Sequence, residues 1–156
     1  MCELQVRSAV PDDWPTIADF NHRLAIETED THLDPETLRR GVRALLRDSA
    51  RGRYFVACRG ERIVGQLLHT REWSDWRNGE IWWLQSVYVA ADFRRQGVFR
   101  TLYEHVRRQA IAAETVVGLR LYVDHNNGPA HETYQRLGME RAGYFVMEEM
   151  FAERTL

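Results

Sequence analysis

The chain has 156 residues, 44% of them hydrophobic and 28% charged, with a formal net charge of −2. That length fits one domain with a real core, and a near-neutral balance without a basic run speaks against a nucleic-acid surface. Every basic residue is arginine, which excludes a lysine Schiff base or lysine general base and reads as a genomic base-composition bias.

Cys2 and Cys58 belong to no C-x-x-C pair, so neither a metal site nor a redox motif is expected. Cys58 ends the apolar run that begins at Tyr54 and suits a buried thiol in a reducing compartment. No apolar span is long enough to cross a membrane and the first residues lack a signal-peptide pattern, so a cytoplasmic protein with no membrane partner is expected.

Along the chain, Leu4 to Val10 alternates and predicts a strand, and Pro11-Asp12-Asp13 supplies a turn and a helix cap. Trp14, Ile17, Ala18, Leu24 and Ala25 recur at helical spacing. Asp34-Pro35-Glu36 opens a second helix with cap, first-turn proline and early acid in order; Leu38, Val42, Leu45 and Leu46 form its buried stripe. Tyr54 to Cys58 and Ile63 to His69 predict two strands joined as a hairpin by Arg59-Gly60-Glu61-Arg62. A loop over 73–79 leads to an apolar strand, Ile81 to Val89. A central helix is expected from Val98 to Glu114, with Leu102, Val106 and Ala110 on one face. A strand over Val117 to Val123, a helix from Asn127 to Leu137 closed by Gly138, and a last strand over Gly143 to Met150 complete a mixed α/β single domain over 1–156.

The most informative stretch is Arg94-Arg95-Gln96-Gly97-Val98-Phe99-Arg100-Thr101-Leu102, which joins the apolar strand to the central helix. A glycine turn that opens a helix presents unpaired backbone N–H groups and the positive end of the helix dipole, which together suit an anion. The arginines around it suit phosphate. A helix-opening turn with no ligand is the simpler alternative. Further on, Asn127, Ala130 and Tyr134 share one face of a helix.

Ser86-Val87-Tyr88-Val89, followed after four residues by Arg94-x-x-Gly97, resembles the acetyl-CoA-binding motif of the GNAT acetyltransferases. Asn126-Asn127-Gly128-Pro129-Ala130-x-x-x-Tyr134-x-x-x-Gly138-Met139 is similar to the family's second motif. Motif order and element order follow the family over nearly the whole chain. The resemblance implies a central, mostly antiparallel twisted sheet with splayed fourth and fifth strands and helices on both faces. It implies an N-acetyltransferase with acetyl-CoA as cosubstrate, no metal, and a primary amine as acceptor, taken here as a small molecule that attacks the thioester directly. It also implies roles for individual residues. The backbone of Val87, Tyr88 and Val89 would pair with the pantetheine arm. Arg94, Arg95, Gln96, Gly97, Val98, Phe99 and Arg100 would hold the pyrophosphate. Asn127 and Ala130 would face the pantetheine, and Tyr134 would protonate the leaving thiolate, unless it simply packs in the core. Phe99 departs from the pattern, which has glycine or alanine there, so its ring has to turn away.

In many relatives the general base is a glutamate on the strand equivalent to 81–89; Gln85 here cannot serve. Glu27 is the preferred replacement, because Glu27, Glu29 and Asp30 together would attract a cationic amine. Glu80, His69 and His125 are further candidates, and each reads equally as an ordinary surface carboxylate or loop histidine. Gln85 also leaves room for a CoA-binding sensor without efficient catalysis. Four of the five tryptophans fall between Trp73 and Trp83, a pattern loosely similar to polyamine acetyltransferases. They suit a cation pocket with Asp75, or else core or a homodimer surface. Trp82 and Trp83 must face opposite sides of their strand. A CoA-independent interaction module is the third reading.

Overall fold

The computed structural model describes residues 2–151. The chain falls into two units, one up to Leu121 and one from Tyr122 onward. The first holds a five-stranded sheet in the order β1-β2-β3-β4-β5, from β1 (Leu4–Ser8), β2 (Arg53–Arg59), β3 (Arg62–Ser74), β4 (Gly79–Val89) and β5 (Val116–Leu121). β1 to β4 pair antiparallel, and β5 joins β4 in parallel after the crossover helix α3 (Val98–Ala112). The architecture is the α/β, mostly antiparallel fold expected from the sequence.

Helices α1 (Trp14–Glu29) and α2 (Pro35–Arg47) start where the sequence signals place them. Asp34 caps α2 by accepting from the Thr37 N–H at 2.8 Å, whereas Asp13 makes no cap bond to α1: its carboxylate accepts from the preceding Val10 N–H at 2.8 Å and is gripped by both Nη atoms of Arg7. α1 and α2 cover one sheet face, where Ile17 and Val42 pack with Tyr54, Val56 and Leu68. α3 covers the other. A β-carbon on Gly65 would meet Val98 Cγ1 at 2.8 Å and Leu102 Cδ1 at 3.3 Å, so the missing side chain lets the start of α3 lie close on β3.

β3 extends through Ser74 and turns directly into β4 with Ser74 opposite Gly79, so the segment expected as a loop is a tight hairpin. Its tip exposes Trp73 and Trp76, whereas Trp82 is buried. In the second unit, α4 (Gly128–Arg136) is capped by the Asn127 side chain and ends at Gly138, whose φ is +93°. The strand expected over Gly143 to Met150 is absent: among the described residues beyond Gly138 there is no helix or strand. The run Tyr144-Phe145-Val146-Met147 is strand-prone in composition, but its side chains are exposed, and strand propensity takes effect only where neighbours supply a ladder and a packed face.

Candidate active site

Three elements of the first unit converge at the end of β4. The strand arrives distorted. Gln66 stands opposite Tyr88 and Leu68 opposite Gln85, so β4 carries one residue more than β3 across this interval. Ser86 sits in the bulge at φ +48°, a left-handed conformation that a side chain disfavours. Pairing with β5 ends at Leu84 opposite Leu121, so Gln85 to Val89 have no β5 ladder among the described residues.

Beyond β4 the chain turns through Ala91–Phe93 and Arg94, then opens α3. Arg95 at φ +58° and Gly97 at φ +79° are both left-handed. A residue other than glycine would be strained at Gly97, although open space surrounds the position of its missing β-carbon. Gly97 is the N-cap residue, supplies no side-chain cap, and is followed by no acid in the first turn. The first turn of α3 therefore has neither a capping side chain nor an acid of its own to offset the dipole's positive end. Successive N–H groups around left-handed residues make a concave anion site.

A cavity of about 460 Å³ lies along this turn. Of the residues expected at the site, Val87, Tyr88, Val89, Arg94, Arg95, Gly97, Val98, Phe99, Arg100 and Glu27 line it. Leu24 and Phe93 complete the wall. Gln96 instead donates its side-chain amide to the Asp92 carbonyl at 2.9 Å, which braces the turn. The Phe99 ring lies along α3, 6.0 Å from that of Tyr103.

Glu27 and Arg94 are tied together. Arg94 Nη2 meets Glu27 Oε2 at 2.6 Å, Arg94 Nε donates to the Val89 carbonyl at 3.0 Å, and the Tyr88 hydroxyl donates to Glu27 Oε1 at 2.8 Å. The guanidinium also lies over the Tyr88 ring, 5.4 Å from its centre. Although burial opposes it, the bonds from Tyr88 and Arg94 hold the Glu27 carboxyl below its ordinary pKa. A base needs a carboxylate free to take a proton, and this one is held in its ionised form by two donors. No basic residue sits in the last turn of α1, where the dipole disfavours an acid, so Arg94 supplies the compensation for Glu27 from outside the helix.

The other base candidates are also engaged. His69 is 1% exposed, stacked at 3.9 Å on Trp82 with Phe55 at 5.9 Å, and burial pushes its imidazole down to about 4. Glu80 lies 3.9 Å from Arg71 and accepts from the Trp82 indole. The Gln85 amide donates to the Thr70 hydroxyl. His125 belongs to the second unit, with its ring 6.5 Å from that of Phe145.

The second-motif residues lie within that same unit. Asn127 is exposed and its Oδ1 accepts from the Ala130 N–H at 3.1 Å, so the amide serves first as a helix cap and keeps Nδ2 as a donor. Ala130 and Tyr134 are half-buried. Burial pushes the Tyr134 phenol up, so it is protonated at neutral pH.

Sequence reasoning missed a buried polar cluster on the α1 side of β3. Gln66 Nε2 donates to Asn21 Oδ1 at 2.7 Å and to the Ser86 carbonyl at 3.0 Å, and Asn21 Nδ2 donates to the Tyr54 hydroxyl at 3.1 Å. A polar Gln66 inside the apolar run Ile63 to Leu68 was the one available signal.

The fold is that of an acyl-transfer enzyme. A profile of the Acetyltransferase (GNAT) family matches residues 14–139, and the chain belongs to that family: it is an acetyltransferase of a class that uses acyl-CoA. It is similar to the crystal structure of a possible acetyltransferase from Clostridium difficile 630, at 42% identity and a TM-score of 0.89, covering 95% of this chain and 97% of that one. Its fold is also similar to a ribosomal-protein-alanine N-acetyltransferase from Brucella melitensis biovar Abortus 2308, at 15% identity and TM-score 0.76 over 96% and 99% of the chains. An aminoglycoside acetyltransferase from an uncultured soil metagenomic sample shares the fold at 18% identity and TM-score 0.70, over 95% and 99%. No curated protein matches. Among the described residues no helix is long and apolar enough to cross a membrane.

Proposed function

We propose that residues 1–156 act as one acetyl-CoA-dependent N-acetyltransferase domain that acetylates a primary amine on a small molecule. The observation that carries this reading is the left-handed Arg95/Gly97 turn at the uncapped start of α3, beside the unladdered stretch Gln85–Val89. The turn's amides take the diphosphate of the donor. Arg95, exposed and in no ion pair among the described residues, adds charge. The backbone of Val87 to Val89 offers strand-like hydrogen bonds to the amide-bearing arm. Asn127 Nδ2 and the small Ala130 on α4 are assigned to the pantetheine by their likeness to the family's second motif.

In the reaction the ammonium loses one proton to become the free amine; the amine nitrogen then bonds to the thioester carbon, the carbon–sulfur bond breaks, the nitrogen loses a second proton and the thiolate gains one. Tyr134 is assigned the thiolate's proton and is reprotonated by the one that leaves the nitrogen after attack. For the first proton, an amine with a pKa of about 10.4 needs roughly 4–5 kcal/mol to become the free base at pH 7. We assign Glu27 the role of anchoring Arg94 and Tyr88 rather than that of a base, and place that first proton in solvent. The test is release of free thiol from acetyl-CoA across a panel of amines. Saturable release that requires one class of amine supports the reading, and no amine-dependent release with any member contradicts it.

A further inference from the structure

The strained residue of the site, Ser86, is held from below by the buried polar cluster, and the consequence falls on the next N–H. In a trans peptide the carbonyl of one residue and the N–H of the next point in opposite directions. The Ser86 carbonyl points at Gln66 Nε2, 3.0 Å away on the β3 side. The Val87 N–H is therefore aimed away from β3. Ladder alternation gives the same answer independently. The Ala90 N–H bonds to the Val64 carbonyl at 2.9 Å, which puts Tyr88 inward and Val87 outward, on the edge where β5 pairing has ended.

Packing alone does not account for Gln66. It is fully buried, and its Oε1 has no hydrogen-bond partner among the described residues. Its two neighbours, Asn21 Oδ1 and the Ser86 carbonyl, are both acceptors, so only an N–H₂ can face them and the oxygen is left unsatisfied. A buried acceptor without a partner is rare and asks for an explanation beyond stability. Asn21 is fixed in turn by donating to the Tyr54 hydroxyl at 3.1 Å, so α1, β2, β3 and the β4 bulge share one chain of bonds.

We propose that Gln66, braced by Asn21 and Tyr54, is a positioning residue that locks the Ser86–Val87 peptide so that the Val87 N–H donates to the carbonyl oxygen of the bound thioester. That oxygen gains negative charge as the amine attacks, and a donor already fixed in place stabilises the charge without reorganising. The inference rests on the proposed acetyl-transfer reading.

The experiment compares wild type with Gln66→Leu and Gln66→Glu, recording kcat, the acetyl-CoA KM, acetyl-CoA affinity by calorimetry, and the pH profile. Gln66→Leu is expected to lower kcat by about 10- to 100-fold, the cost typical of weakening one preorganised donor, with the acetyl-CoA KM and affinity within about threefold. Gln66→Glu supplies the control for misfolding. Its neutral carboxyl donates one bond and its ionised form none, so the ratio of its kcat to wild type should fall as pH rises through the carboxyl's titration. Parallel loss of affinity and kcat in Gln66→Leu, or a flat ratio in Gln66→Glu, overturns the inference. Failure of wild type to bind or turn over acetyl-CoA refutes the functional reading instead.

Discussion

His69 makes the first unit acid-sensitive by a calculable amount. Its imidazole is sealed between Trp82 and Phe55, Nδ1 has no hydrogen-bond partner among the described residues, and burial with the nearby charges of Arg71 and Arg53 lowers its pKa from 6.5 to about 4. In this window the unfolded chain binds a proton that the folded chain excludes. Stability is therefore full above about pH 6.5 and is lost as pH falls towards 4, and becomes level once both states are protonated. Those two pKa values correspond to a loss of about 2.5 kcal/mol between pH 7.5 and 4.5. The assay is urea unfolding at a series of pH values, with His69→Leu as reference. That substitution keeps an apolar body between the two rings and removes the titration. His105, also lowered mainly by burial, and the carboxylates of Asp13 and Glu27 titrate in both proteins and cancel in the difference. Wild type should lose stability relative to His69→Leu by about 2.5 kcal/mol over that range, with a shallower slope above pH 6.5. Parallel curves for the two proteins would mean that His69 takes no part in the acid sensitivity.

Glu27→Gln separates anchor from base. As an anchor on a half-exposed pair, its loss should cost no more than about 1 kcal/mol of stability, leave kcat within about threefold and not weaken acetyl-CoA binding. A general base would show a kcat loss of about 10²–10⁴ instead. Tyr134→Phe should lower kcat tenfold or more with little change in acetyl-CoA affinity; equal turnover removes the phenol from the chemistry.

Local chemistry was legible in the sequence. Asp34-Pro35 and Gly97 announced their helix starts, and the alternation and apolar runs located five strands. What stayed hidden depends on partners far along the chain. Asn21 and Gln66 are 45 residues apart, and Glu27 and Arg94 are 67 apart. Nothing in either local pattern says that they meet. Ser86 gave no hint of a bulge, because a left-handed turn normally advertises itself with glycine or asparagine. His69 lies on a strand buried on both faces, where alternation disappears and a polar residue cannot be told from a surface one. The run Gly143 to Met150 failed in the opposite direction: its composition promised a strand, and only a partner could have made one.

The turn that opens α3 is assigned the diphosphate of the donor, and that group can be removed from the ligand. Calorimetric titration with acetyl-CoA and with S-acetyl-pantetheine, which keeps the thioester and arm but lacks the diphosphate and the 3′-phosphoadenosine, measures their joint contribution, and Gly97→Val reads the share that depends on the turn. Acetyl-CoA is expected to bind at least 100-fold more tightly, and Gly97→Val, which strains the turn, to remove most of the difference. Equal affinity for the two ligands, or a difference that survives Gly97→Val, contradicts that assignment.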